Sequence, residues 1–171
     1  MKKIISIIIS IAMCAMLASC GGVKNEVSDT EQPTLIDTMS LEEKVGQILF
    51  VRCVDDEQTD DLMSIKPGGI LMFGRDFEGL TKDEVKEKIQ SYQDKSDIPL
   101  IIGADEEGGT VVRVSSNPNL APEKFKSPQE IYNEGGMDAV VENATEKSEL
   151  LLSLGVNMNL APVADVSTNP S

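Results

Sequence analysis

Beyond residue 33 the chain alternates short, continuous apolar runs with amphipathic stretches. Ser40-Leu41-Glu42-Glu43 has the form of a capping box, and Leu41, Val45 and Ile48 follow at helical spacing. Residues 46–51 then read as a buried strand. Residues 55–66 are acidic with Leu62, Met63 and Ile65 on one face, and predict a short helix stopped by Pro67-Gly68-Gly69. A second strand is expected over 69–73. Thr81-Lys82-Asp83-Glu84 is another capping box, and Val85, Ile89 and Tyr92 share one face of a helix expected over 81–95. A third strand is expected over 99–104, followed by loop over 105–135 with one turn of helix at 128–132. Residues 137–154 predict a helix with Val140, Val141, Ala144, Leu151 and Leu152 inward and Gly155 as its stop. A fourth strand is expected over 156–160.

Continuous apolar strands alternating with helices imply parallel pairing, buried on both faces. Two architectures fit: an open doubly wound sheet, or a (β/α)8 barrel. A complete barrel takes ~250 residues, whereas this chain has 171. About four strands are expected, and the sequence ends in loop composition at Thr168-Asn169-Pro170-Ser171. The expected fold class is therefore α/β, the N-terminal half of a (β/α)8 TIM barrel, truncated after about four strands. Such a half would leave its first and last strands as open edges.

The first residues read as an address. Lys2 and Lys3 precede an uncharged, mostly apolar stretch over 4–19, which ends Leu17-Ala18-Ser19-Cys20. It is short for a membrane span, which needs ~20 residues. A basic start, an apolar run and small residues before a cleavage point mark a secretory signal. Cys20 after Leu17-Ala18-Ser19 resembles the bacterial lipoprotein signal, which implies cleavage before Cys20 and lipid on that residue. The expected organisation is a signal peptide over 1–19, a flexible acidic tether over 20–33 and a globular part over 34–171. The expected location is extracytoplasmic, lipid-anchored to a bacterial membrane. Cys14 would leave with the signal, so Cys53 is left with no disulfide partner and reads as a small apolar side chain.

Charge narrows the chemistry. Lys and Arg number 15 against 29 Asp and Glu, a net charge of −14. That balance argues against nucleic acid, because little here could neutralise a run of phosphates. The chain contains no histidine, which excludes a His-based triad, base or metal ligand within it. No Walker loop, dinucleotide fingerprint or zinc spacing occurs, so no metal or cofactor is expected. Asn143-Ala144-Thr145 matches a glycosylation sequon but falls inside an expected helix.

Ligands of parallel α/β folds meet the carboxyl ends of the strands. Three expected strand ends carry polar groups: Arg75-Asp76, Asp105-Glu106-Glu107 and Asp165. In the richest of them Gly108-Gly109 permits a tight turn, and Val111 leads on to Arg113. A carboxylate accepts from two hydroxyls at once and a guanidinium donates to oxygens, a pairing suited to a polyol such as a sugar. The same residues also fit an acidic surface turn neutralised by an arginine.

Asp105-Glu106-Glu107-Gly108-Gly109-Thr110-Val111-Val112-Arg113 resembles the D-x-E-G-G-x-V-x-R segment of glycoside hydrolase family 3, in its β-N-acetylhexosaminidase branch. The segment from Met39 to Gln47 resembles the family's opening helix, Gly68 to Phe73 its second strand, and Leu160 to Val166 its fourth strand and following turn. The resemblance implies a (β/α)8 barrel that removes terminal β-linked N-acetylhexosamine from peptidoglycan or chitin-type fragments, with retention and without a cofactor. It implies that Asp105 and Arg113 bind the sugar, that Glu107, Gly108 and Gly109 shape the turn, and that Asp165 orders the loop after the fourth strand. Arg75 and Asp76 could line the rim. Thr110 stands where many members have Arg.

The family's acid/base lies in a later Lys-His-x-Pro-Gly-His-Gly loop, and its nucleophile is an Asp further on. Neither is in this chain. No catalytic residue is therefore expected here, and the 171 residues alone are expected to be inactive. Other readings are a β-glucosidase or xylosidase of the same family, a non-catalytic sugar-binding lipoprotein, and a degraded relative.

Overall fold

The computed structural model describes residues 33–52 and 56–164. Cys20, Cys53, Asp165, the expected signal and nearly all of the tether lie outside them. Leu35 onward belongs to one compact unit. Its elements are α1 (Leu35–Thr38), α2 (Leu41–Gln47), β1 (Phe50–Arg52), α3 (Asp56–Ser64), β2 (Gly69–Met72), α4 (Gly74–Phe77), α5 (Lys82–Gln93), β3 (Ile101–Ala104), α6 (Pro128–Leu154) and β4 (Met158–Asn159).

Both expected capping boxes form. Ser40 Oγ accepts from Glu43 N–H at 3.1 Å, and the Glu43 carboxylate accepts from Ser40 N–H at 2.8 Å. Thr81 and Glu84 repeat the exchange at the start of α5. A third box, Ser127 with Glu130, opens α6 with Pro128 in its first turn. The helix therefore begins nine residues before 137 and absorbs the expected turn at 128–132, with a break at Gly136 (φ 68°). Gly155 closes it in the left-handed region, at φ 93°.

The four strands lie in the order β1-β2-β3-β4, all parallel. A doubly wound sheet reverses its strand order at a switch point. A strictly sequential order has no switch, and is that of a barrel wall. Ile70, Met72, Ile102 and Ala104 are fully buried on the helix side, in one core with Val85, Ile89 and Tyr92 of α5 and Leu151 and Leu154 of α6. On the other face Phe50 lies across its neighbours. A Cβ on Gly69 would come within 2.6 Å of its ring, and one on Gly103 within 2.5 Å.

Several boundaries differ from the pattern reading. The apolar run 46–51 is divided, because Gly46 and Gln47 belong to α2 and the strand begins at Phe50. Gly46 is packed so tightly that a Cβ would lie 2.1 Å from the Ile65 carbonyl oxygen. The fourth strand is shorter than expected because the Val156 N–H bonds to Leu151 O of the helix; sheet bonding starts with Asn157 N–H to Ile102 O. Within α6 only Leu151 of the expected inward set is fully buried. Val141 and Leu152 are more than half exposed, and Lys147 and Leu154 are buried instead. The helix carries two apolar stripes, and periodicity cannot say which one the sheet covers.

Among the described residues β1 and β4 each pair on one side only. Exposed apolar side chains cluster in sequence near both: Leu41, Val45 and Ile48 before β1, and Leu152, Leu160 and Val163 around β4.

Candidate functional site

Asp105 follows the last residue of β3, so the sheet delivers its carboxylate at the carboxyl end of the strands. Arg113 returns to it eight residues later, with Nη2 3.3 Å from Oδ2. Both side chains keep between a fifth and a third of their surface in solvent. The structure thus brings together the two residues expected to bind a ligand. Arg113 also lies 5.6 Å from the ring centre of Phe73, and Arg52, at the end of β1, lies 4.3 Å from it.

Phe73 is held by Asp76. The Asp76 carboxylate accepts from Phe73 N–H at 2.7 Å, and Phe73 O accepts from Asp76 N–H at 2.8 Å. Asp76 is buried, with Lys88 Nζ at 3.8 Å. It is a fixed part of the turn after β2 and does not line a rim; Arg75 beside it is exposed.

The residue that shapes this corner most is Glu106, to which the pattern reading gave no role. It is completely buried. Its carboxyl group accepts from the N–H groups of Arg113 (2.7 Å), Val114 (2.6 Å) and Ser115 (3.3 Å), and from the Ser115 hydroxyl. One side chain thus ties the end of β3 to the loop that carries Arg113. Its main chain is tied as well: Glu106 N–H donates to Asn159 Oδ1 at 2.9 Å, and Asn159 Nδ2 donates to Glu106 O at 3.1 Å. The signal was present as a period of two. Ile102, Ala104 and Glu106 alternate on the buried face while Asp105 falls on the other.

Glu107, Gly108 and Gly109 form the turn between them. The N–H groups of Glu107 and Gly108 both donate to Val111 O at 3.0 Å. Gly108 has φ 100°, and a Cβ there would lie 2.2 Å from Lys126 O; Gly109 has φ 68° and donates to Phe125 O. Only glycine fits the first position on both counts. Lys147, buried on α6, donates to Glu107 O at 2.9 Å and faces the Phe125 ring at 5.3 Å. Burial pushes its ammonium pKa below the usual lysine value, against the pull of the Glu106 and Glu107 charges. Asn117 locks the far side of the loop, donating to Phe77 O (2.6 Å) and Leu80 O (2.8 Å).

This corner can accept from hydroxyls at Asp105, donate at Arg113, and offer the Phe73 ring as an apolar wall. Those are the elements of a polyol site. Asp165 lies outside the described residues.

The sequence profile described as Glycosyl hydrolase family 3 N terminal domain matches residues 40–171. Beta-hexosaminidase A of Pseudoalteromonas piscicida is 31% identical over 107 residues, which is 61% of this chain and 18% of that protein. A beta-hexosaminidase of Haemophilus influenzae is 23% identical over 113 residues, 66% of this chain and 32% of that protein. Among solved structures, the glycoside hydrolase family 3 beta-N-acetylglucosaminidase of Paenibacillus sp. aligns with TM-score 0.65 and 26% identity, over 72% of this chain and 24% of that one. LpqI of M. tuberculosis aligns with TM-score 0.64 and 25% identity, over 77% of this chain and 37% of that one. The chain therefore spans less than a third of the length of these curated relatives, 18% of one and 32% of the other.

Proposed function

Since the chain belongs to glycosyl hydrolase family 3 and matches its N-terminal domain, we propose that it supplies part of the substrate-binding half of a retaining glycosidase that releases terminal β-linked N-acetylhexosamine. The substrates proposed are peptidoglycan or chitin-type fragments. The observation that carries the reading is the Asp105–Arg113 pair at the end of β3, fastened by Glu106. Asp105 accepts from two sugar hydroxyls and Arg113 holds the same ring. Glu107 and the two glycines shape the turn, and Asp165 orders the loop after β4. The names of the relatives support the hexosamine specificity.

The chemistry needs an acid near the leaving oxygen and a nucleophile on the opposite side of the sugar. Neither role is assigned to Asp105, whose carboxylate faces Arg113, or to Glu107, whose main chain builds the turn. A full-length protein is expected to release 4-nitrophenol from the N-acetyl-β-glucosaminide with retained anomeric configuration, followed by NMR, while the 171-residue chain alone gives none. Turnover by the short chain would overturn the division of roles. A preference for the β-glucoside or β-xyloside would move the specificity to another branch, and binding without turnover would make the protein a sugar-binding lipoprotein.

We further propose that Cys20 is lipidated and anchors the protein to an extracytoplasmic membrane face, on the order of its basic, apolar and small residues. Labelled palmitate should enter the protein and be lost in Cys20→Ser. Labelling that survives the substitution removes the anchor.

A further inference from the structure

Lysine is almost never buried without a partner, yet Lys147 is only 7% exposed. It shares one face of α6 with Leu151 and Leu154, at positions i, i+4 and i+7. The two leucines join the core against the sheet. Lys147 continues their stripe to the turn after β3, where packing alone would take a third apolar side chain. Its ammonium donates to the Glu107 carbonyl at 2.9 Å and faces the Phe125 ring at 5.3 Å. Burial makes that cation costly, and the charges of Glu106 and Glu107 offset part of the cost.

The atom that Lys147 holds belongs to a peptide plane with a second tie. At one end of the Glu107–Gly108 peptide the Gly108 N–H donates to Val111 O at 3.0 Å; at the other the Glu107 carbonyl accepts from Lys147. Together the two bonds fix the rotation of the plane. Gly108, at φ 100°, has no Cβ to oppose a flip. A flipped peptide would turn the Gly108 N–H away from Val111 and open the turn that joins Asp105 to Arg113. We propose that Lys147 is a positioning residue: by holding the Glu107 carbonyl it keeps this turn closed and Arg113 set against Asp105 for the sugar. The role rests on the glycosidase reading above, and it extends the binding apparatus from the strand end to a side chain of α6.

The test compares full-length wild type with Lys147→Met, which keeps the length and loses the donor, and with Leu154→Ala, which loosens the same stripe of α6 away from the turn. Kinetics on 4-nitrophenyl N-acetyl-β-glucosaminide are measured well below the melting temperature of each. In Lys147→Met, KM is expected to rise about tenfold, the size of one charge-assisted hydrogen bond, with kcat within about twofold of wild type. Leu154→Ala is expected to melt lower, through the cavity it leaves, with KM unchanged. Lys147→Gln, which keeps a donor, should fall between wild type and the methionine variant. Native-state hydrogen exchange reads the peptide itself: the Gly108 amide should lose protection in Lys147→Met and keep it in Leu154→Ala. A KM within twofold of wild type in Lys147→Met overturns the role and leaves the glycosidase reading standing. So does an equal rise in Leu154→Ala, which would make KM a measure of loosened packing. If wild type cleaves no glycoside, the glycosidase reading falls, and exchange at Gly108 alone decides whether Lys147 holds the turn.

Discussion

Glu106→Ala is expected to destabilise the protein by roughly 3–5 kcal/mol, the range for removing one partner from a buried charged network. The side chain is completely buried and satisfies three main-chain N–H groups and one hydroxyl. Each donor left unsatisfied in the interior costs ~1–3 kcal/mol. A small alanine cannot fill the space, and water reaching the donors would offset only part of the loss. Glu106→Gln keeps the shape but replaces one acceptor oxygen with a donor, so about half the effect is expected. Denaturant unfolding of the full-length protein measures both. Native-state hydrogen exchange gives the local result, with the amides of Arg113 and Val114 losing protection ahead of those in β2. An alanine variant within 1 kcal/mol of wild type would mean that the loop is held by other contacts, such as those of Asn117 and Lys147.

Asp105→Ala is expected to do the reverse, with little effect on stability and a large one on turnover. The pair it forms with Arg113 is partly exposed, and such pairs contribute ~0–1 kcal/mol. Two charge-assisted hydrogen bonds to sugar hydroxyls are worth about 3–6 kcal/mol together, so kcat/KM should drop by roughly 10²–10⁴. Asp105→Asn keeps one acceptor and should fall between. Steady-state kinetics on the N-acetyl-β-glucosaminide, with a thermal melt as control, decides. A loss below tenfold at unchanged stability would mean that Asp105 does not touch the sugar. Together the two positions separate a residue that builds the loop from its neighbour that uses it, although both are acids in one short run.

That separation shows what the sequence can and cannot reveal. Local rules worked where one element decides its own boundary. The capping boxes at Ser40 and Thr81 form, and Gly155 ends its helix in the left-handed region. The central strands near 69 and 101 need only to be apolar and continuous, and they were visible. The start of α6 carried a readable signal in Ser127 and Glu130, but Gly135-Gly136 interrupts the helical pattern behind it. What failed depended on partners distant in sequence. Whether Leu151 or Leu152 faces inward depends on where the sheet lies, and the close packing of Gly46 depends on the carbonyl of Ile65, 19 residues on. Asp105 and Arg113 were legible because spacing and resemblance both pointed to them. Glu106 was hidden because its partners are main-chain groups, which have no residue type to read.

Phe50 carries a different consequence. Its ring fills the space above Gly69 and Gly103, so one side chain serves three strands. The ring thereby ties position 103 to position 50, 53 residues earlier in the chain. An alanine arriving at either glycine meets the ring at once, and a smaller residue at 50 leaves a hollow that neither glycine can fill. Lineages should change positions 50 and 103 together or not at all, while position 69 stays glycine in either case, because a Cβ there would also lie 2.5 Å from the Ile101 carbonyl oxygen.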